Sequence, residues 1–401
     1  MNPPAASARS RWPTILLVVG AGVVSAFQVG KAPLALAAIQ ADLAASLATA
    51  SWLLSAFAIV GAATGIVVGV AVDRAGARRM LLGGLVVQGF CCVVGASADG
   101  ISVLLATRAI EGIGFITVTV AAPALIDAVS PPRVLGRAIA VWGTFMPVGF
   151  GLVMLGAPLL TAIGWRGFWL INAAILIGYA GLLALTTIRS IPSEGERNHG
   201  IMDNVVKTLT ARGPWLLAAL MAAFSAAFFA VFGFLPSILS DQLRVAIETA
   251  GLMTAAAVAV NAIGNLACGP LMAAGVRRDY ILSVGFATMA LCGFGILGGG
   301  LPGPVAYALC LVFSVVSGLV PVALIEGASR YAPRPNLVGA TVGFVMQGNN
   351  IGLVLGPAGA GALAGAFGWH AVSLLVGALG LAAILLTAAL RPRRKSLEPG
   401  G

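Results

Sequence analysis

Gly69-Val-Ala-Val-Asp73-Arg74-Ala-Gly76-Ala-Arg78-Arg79 is a short charged turn between two long apolar runs. Residues 51–72 before and across it, and residues 80–98 after it, are free of charge except at the turn itself. A helix crossing a bilayer needs about 20 apolar residues, and both runs reach that length. A soluble helix of this length would carry a polar face, and neither run has one. The stretch therefore reads as a loop joining two membrane spans.

The whole chain repeats this pattern. It has 401 residues, 59% of them hydrophobic and 9% charged, with mean hydropathy +1.02. Soluble domains carry about 25% charged residues. A soluble two-domain enzyme is excluded, and so is disorder, which needs low hydrophobicity. The 53 glycines show no triplet period. They supply instead the small surfaces that let membrane helices approach closely.

Runs long enough to cross a bilayer lie at about 13–38, 51–72, 80–98, 101–127, 136–163, 167–188, 214–240, 248–274, 279–299, 304–327, 337–366 and 370–390. The expected fold is an all-α membrane protein of twelve transmembrane helices. The first run is too long for a cleavable leader and is followed by eleven more. Of the 23 Lys and Arg, only Arg166 and Arg244 fall in loops on one side, and Lys31 and Arg108 fall within spans. The rest collect on the other side, which the positive-inside rule makes cytoplasmic. Both termini are thus expected inside, in a multi-pass protein of the bacterial inner membrane. The net charge of +10 belongs to these loops, and no nucleic-acid partner is expected.

The longest hydrophilic stretch, 189–213, divides the spans six and six. The expected organisation is a first six-helix bundle (1–188), a cytoplasmic linker (189–213) and a second bundle with a basic tail (214–401). The halves echo each other. Asp73–Arg79 (DRAGARR) matches Met272–Arg278 (MAAGVRR), and Ala124–Asp127 (ALID) matches Ala323–Glu326 (ALIE) at the same offset. Gly143–Met146 echoes Gly343–Met346, and Gly164–Arg166 echoes Gly368–His370. Repeated halves with a site between them are the architecture of secondary transporters.

The opening stretch resembles the loop signature of the major facilitator superfamily, G-x-x-x-D-R-x-G-x-R-R. Arg108-Ala-Ile-Glu111-Gly112-Ile-Gly114 is similar to the same superfamily's R-x-x-[QE]-G-x-G pattern. The resemblance implies two pseudo-symmetric six-helix halves and transport by alternating access. It also implies a cytoplasmic gate at Gly69, Asp73, Arg74, Gly76 and Arg78. Asp73 and Arg74 would form a latch, with Gly76 giving the tight turn. The second-half copy has lost the acid and the first arginine, so the gate is expected to be asymmetric. The family's antiporter pattern G-P-x-x-G-G is absent from the fifth span, where Gly149, Gly151, Gly156 and Pro158 stand at shifted positions. At a finer level the segments RAIEG, APALI, WGTFMP and GWRGFWLIN resemble a cyanate-permease-like or nitrate/nitrite-like bacterial branch.

Charges inside a bilayer are costly and normally face a cavity or a partner. Lys31 follows Gln28 and Ser25 on one face of the first span, forming a polar stripe. The readings are a cation that receives substrate and a lysine that snorkels to headgroups. Arg108 and Glu111 are three apart and share a helix face. They form either a self-neutralising pair or a unit in which Arg108 binds substrate and Glu111 carries the coupling proton. Asp127 and Glu326 are repeat-related and lie toward the cytoplasmic ends of their spans, where gate contacts are expected. Gln347 and Asn350 share a face of the eleventh span and are candidate substrate ligands. Asn261 and Asn265 are explained by interhelical hydrogen bonds. Phe27, Trp142, Phe145, Phe224, Phe228 and Phe232 are candidate cavity walls. Trp12, Trp52, Trp165, Trp169, Trp215 and Trp369 read as interfacial anchors. The five cysteines read as packing residues.

No phosphate-binding loop with a lysine is present, so no ATPase is expected. His199 and His370 fall in loops, so a buried histidine-based catalytic or metal site is not expected either. Neither enzyme activity, a cofactor nor a metal is expected. The expected function is secondary active transport of a small polar or anionic solute by a monomer, coupled to protons. The anionic choice rests on two cations, Lys31 and Arg108, against one acid, Glu111. The alternatives are a drug or metabolite/proton antiporter and a non-transporting sensor with a transporter fold.

Overall fold

The computed structural model describes residues 12–131, 134, 138–139, 141–186, 207–334 and 337–390. The linker expected at 189–213 falls mainly outside the described residues, as do the basic tail and Arg133 and Arg137. The described chain is helical: α1 (Trp12–Asp42), α2 (Leu47–Ala75), α3 (Ala77–Ala96), α4 (Ile101–Val129), α5 (Phe145–Met154), α6 (Ala157–Leu185), α7 (Arg212–Phe232), α8 (Leu235–Leu243), α9 (Ile247–Ala273), α10 (Arg278–Leu297), α11 (Gly303–Tyr331), α12 (Val338–Phe367) and α13 (Trp369–Leu390). Ten of these are long and apolar enough to cross a membrane. With α2 and the broken fifth span, they account for the twelve expected crossings. The chain is a multi-pass membrane protein.

Two spans differ from the continuous helices expected. The fifth breaks at Leu155–Gly156, between α5 and α6. Pro158 explains the position: it has no N–H to give to the preceding turn, and it sits in the first turn of the new helix, where none is needed. The fifth span then continues as the start of α6, which bends at Gly164 (φ +70°) into the sixth. The seventh breaks at Gly233–Phe234, and Pro236 again stands in the first turn of the next helix.

The turn between α2 and α3 forms as its sequence suggests. Gly76 has φ +87°, a conformation that L side chains rarely adopt. Its N–H donates to Val72 O and closes α2.

Each half packs around its own buried helices. In the first half, α4 lies against α2 and α3, and α1 against α5. In the second, α9 lies against α11, and α10 against α13. The halves meet along α2 and α12 and along α5 and α9. Small residues make these seams close. Gly361 of α12 lies against Ser51 of α2, and Gly251 of α9 lies against Ala157 at the break of the fifth span. The Gly361–Ser51 contact stands at the end of α2 away from the Arg74–Arg79 turn.

Candidate functional site

The polar stripe of α1 enters the interior of the first half. Ser25, Gln28 and Lys31 are all fully buried. Their partners come from three other helices. Ser25 Oγ donates to Gln88 Oε1 of α3 at 2.9 Å. Lys31 Nζ donates to Glu111 Oε1 of α4 at 2.8 Å and lies 2.9 Å from Cys92 Sγ of α3. The Cys92 thiol donates to Gln28 Oε1 at 3.1 Å. Lys31 Nζ also stands 4.5 Å above the ring of Trp169 of α6, in cation–π geometry.

Glu111 is pinned from both sides. Its second carboxylate oxygen accepts from Arg108 Nη1 one turn earlier on α4. Arg108 is itself 1% exposed. Its Nε donates to Leu53 O of α2 at 2.9 Å, and its guanidinium lies 4.5 Å from the Phe57 ring. The fit is tight here because Gly112 lets α4 meet the Phe57 carbonyl of α2. One carboxylate thus ties α1 and α4 together through Lys31, and Arg108 ties α4 to α2.

The geometry corrects several expectations. Lys31 does not snorkel, since it is 0% exposed and paired inside the bundle. Arg108 and Glu111 do form a pair, but it is not self-contained, because Lys31 joins it. Trp169 is no interfacial anchor. It is fully buried beneath Lys31, and Trp165 is buried beside it. Cys92 is not a simple packing residue, because its thiol bridges Gln28 and Lys31. Trp169, Cys92, Gln88, Phe57 and the Leu53 carbonyl are partners in this cluster that the sequence did not single out. Only the position of Cys92, one helix across from a buried lysine, held any signal.

Other candidate residues stand elsewhere. Gly69, Asp73 and Arg74 lie on the helical backbone of α2, and their side chains are outside the described residues. Arg78 turns inward within its own half. Its Nη2 donates to the carbonyls of Leu183, Ala184 and Thr186 at 3.2, 2.9 and 2.8 Å. These carbonyls stand at the end of α6, at the negative end of the helix dipole, and Leu183 O also accepts from the Thr186 N–H. Asp127 and Glu326 are both exposed near the ends of α4 and α11. Gln347 and Asn350 are half-buried on α12, and Asn350 faces Gly61 of α2 across the seam.

Two strings of aromatic rings complete the interior. Phe57, Phe115, Phe145 and Trp142 join α2 and α4 to the fifth span, with centroids 5.0, 6.5 and 4.3 Å apart in order. Phe224, Phe228, Phe232 and Phe313 join α7 to α11, with the central Phe228–Phe232 pair stacked at 4.5 Å. Phe145 and Phe228 are half-buried rather than buried.

Twelve spans in two halves that meet along two seams form the two-half helical architecture that secondary transporters share. The Major Facilitator Superfamily model matches residues 18–339, and the chain belongs to that family. It is 28% identical over 308 residues to the tetracenomycin C resistance and export protein of Streptomyces glaucescens, covering 74% of this chain and 53% of the relative. It is 26% identical over 290 residues to the puromycin resistance protein pur8 of Streptomyces alboniger, covering 72% and 54%. It is 28% identical over 338 residues to the multidrug efflux pump LfrA of Mycolicibacterium smegmatis, covering 78% and 62%. The chain thus spans little more than half the length of these relatives. Among solved structures, a bacterial homologue of the human lysosomal transporter Spinster has TM-score 0.76 at 18% identity, covering 95% of this chain and 92% of that one. A D-xylose–proton symporter has TM-score 0.75 at 17% identity, covering 96% and 98%. These relatives lend no support to a cyanate or nitrate branch.

Proposed function

We propose that the protein exports a bulky aromatic or apolar organic solute across the inner membrane in exchange for protons. The observation that carries this reading is the placement of charge. Lys31, Arg108 and Glu111 are withdrawn into the first half and engage one another. The half-buried groups within the spans include the rings Phe145 and Phe228 and the neutral side chains Gln347 and Asn350. Rings and neutral amides of this kind suit contact with an apolar, ring-bearing solute. The resistance and export proteins among the relatives support the same direction.

Glu111 is the coupling residue in this reading. Ionised, it holds Lys31 of α1 and, through Arg108, the Leu53 carbonyl of α2. Leu53 stands two residues from Ser51, which contacts Gly361 across the seam. A proton on Glu111 removes the charge that both cations share. The α1–α4–α2 tie then loosens, and α2 is freed to move against α12. Proton binding and seam opening are thereby linked through one chain of contacts. Asp73 and Arg74 act in the gate at the opposite end of α2. The chain works as a monomer with both termini in the cytoplasm.

The rival reading, a carrier of small anions, has one observation in its favour. Two buried cations face one acid in the cluster, and Gln28 Nε2 is buried without an acceptor among the described residues. Proteoliposomes separate the readings. Export predicts that a pH gradient drives saturable movement of tetraphenylphosphonium, an aromatic cation. Glu111→Gln should abolish that drive and leave exchange of the labelled cation intact. Saturable counterflow of labelled nitrite or cyanate, with no movement of the aromatic cation, would establish the anion carrier instead.

A further inference from the structure

The second half contains a polar device that neither the cluster nor the gate uses. On α9, Leu252, Ala256, Ala259, Ile263 and Leu266 are exposed and recur three and four residues apart. That spacing marks one helix face, and in a membrane it is the lipid face. Asn261 and Asn265 lie on the opposite face. They are only half-buried, so they open onto the interior of the protein rather than onto lipid. Both stand near the middle of a 27-residue helix, where a polar side chain is costly unless it has a partner or a cavity.

The orientation of their amides follows from the backbone. Gly264 and Gly318 bring α9 and α11 into direct backbone contact. This places Asn261 Nδ2 2.8 Å from Ser314 O and 3.1 Å from Ser317 Oγ. A backbone carbonyl accepts only, so the nitrogen of Asn261 must face it. The Asn261 carbonyl must then face Asn265, and it accepts from Asn265 Nδ2 at 2.9 Å. The direction of the whole chain is fixed from the Ser314 end. Asn265 Oδ1 is left at the open end with no donor among the described residues. Bonds in such a chain polarise one another, which strengthens the free carbonyl as an acceptor.

We infer that Asn265 Oδ1 is a specificity-determining acceptor that selects solutes bearing a hydroxyl or amino donor beside an aromatic ring system. The inference rests on the proposed export of ring-bearing solutes and names the chemistry that this path favours. Asn261 and Ser317 position Asn265 and do not touch the solute. A site built to hydrogen-bond a hydroxyl discriminates against the analogue lacking that donor more strongly than an apolar pocket can.

The test is equilibrium binding to the purified full chain in lipid nanodiscs, with two probes that share one ring system. 9-Phenanthrol has a donor, and 9-methoxyphenanthrene has none. The wild type should bind the phenol about tenfold more tightly, the effect of one added hydrogen bond. Asn265→Leu should bring that ratio to near one while keeping its affinity for the methoxy compound, which also shows that the variant is folded. Asn261→Ala should reduce the ratio without abolishing it, because the chain loses its anchor. An unchanged preference in Asn265→Leu would overturn the inference. So would a wild type with no preference, or with no saturable binding of either probe. Preference for the phenol together with no pH-driven transport of tetraphenylphosphonium would sink the export reading and leave this one standing.

Discussion

The two halves tie the same pair of helices together with different chemistry. In the first half, Arg108 of α4 reaches the backbone of α2 at Leu53 O. In the second, Tyr307 of α11 reaches the backbone of α9 at Met253 O, 3.0 Å away. Arg108 and Tyr307 stand at the offset that also relates Ala124–Asp127 to Ala323–Glu326. At that offset Glu111 becomes Cys310, which is buried and uncharged. The helix α7 carries no charge after Arg212. The second half folds with a neutral hydroxyl where the first uses a guanidinium and a carboxylate. We propose that a long polar side chain at this crossing serves the fold and that the charges of the first half serve proton coupling.

The comparison can be broken most severely by removing one member of the charged cluster. Glu111→Ala leaves two buried cations facing each other. Loss of one partner from a buried ion pair costs about 3–5 kcal/mol. A large fall in the thermal unfolding midpoint of the purified protein is expected. Converting the first half toward second-half chemistry should do the opposite. The triple change Lys31→Met, Arg108→Tyr and Glu111→Cys replaces the whole network, and such replacements are often neutral or stabilising by about 1–4 kcal/mol. Its unfolding midpoint should match or exceed that of the wild type.

The seam offers an intermediate effect. Gly361→Leu places a large side chain against Ser51, and overpacking of this kind costs about 1–3 kcal/mol. It should also hold the seam apart. Reaction of an engineered Ser51→Cys with a water-soluble maleimide, measured with and without Gly361→Leu, reads this directly. Faster labelling with the leucine is expected, and equal labelling would remove the seam from the mechanism.

The smallest effect expected is at Arg78. Its three bonds to the end of α6 lie at a partly exposed edge. Arg78→Ala should lower stability by about 1 kcal/mol and leave pH-driven transport near normal. Loss of transport with normal stability would show that Arg78 acts in the gate rather than as a cap. In the second half its repeat partner Arg277 is itself exposed and pairs with half-buried Asp279, so Arg277→Ala should have less effect still.

The twelve crossings, the turn at Gly76 and the pairing of Arg108 with Glu111 were legible in the sequence. Each depends on local spacing: apolar runs, a glycine needed at positive φ, and two residues one helical turn apart. What joins the cluster is not local. Lys31 and Glu111 lie on different helices far apart in the chain, and only tertiary packing brings them into contact. Trp169 was misread because tryptophans near span ends usually mark the interface, and nothing local shows that this one faces a buried lysine. The breaks in the fifth and seventh spans had their proline signals in Pro158 and Pro236. Those signals are ambiguous in membrane helices, where proline is often tolerated.

The proposed role of the buried charges is to couple protons and not to hold the fold. It is tested most directly by pH-driven movement of tetraphenylphosphonium in proteoliposomes bearing the Lys31→Met, Arg108→Tyr, Glu111→Cys protein, with its unfolding midpoint measured in parallel. The account predicts a folded protein of wild-type stability that no longer responds to the pH gradient. A protein that fails to fold, or one that still moves the cation in response to the gradient, would contradict it.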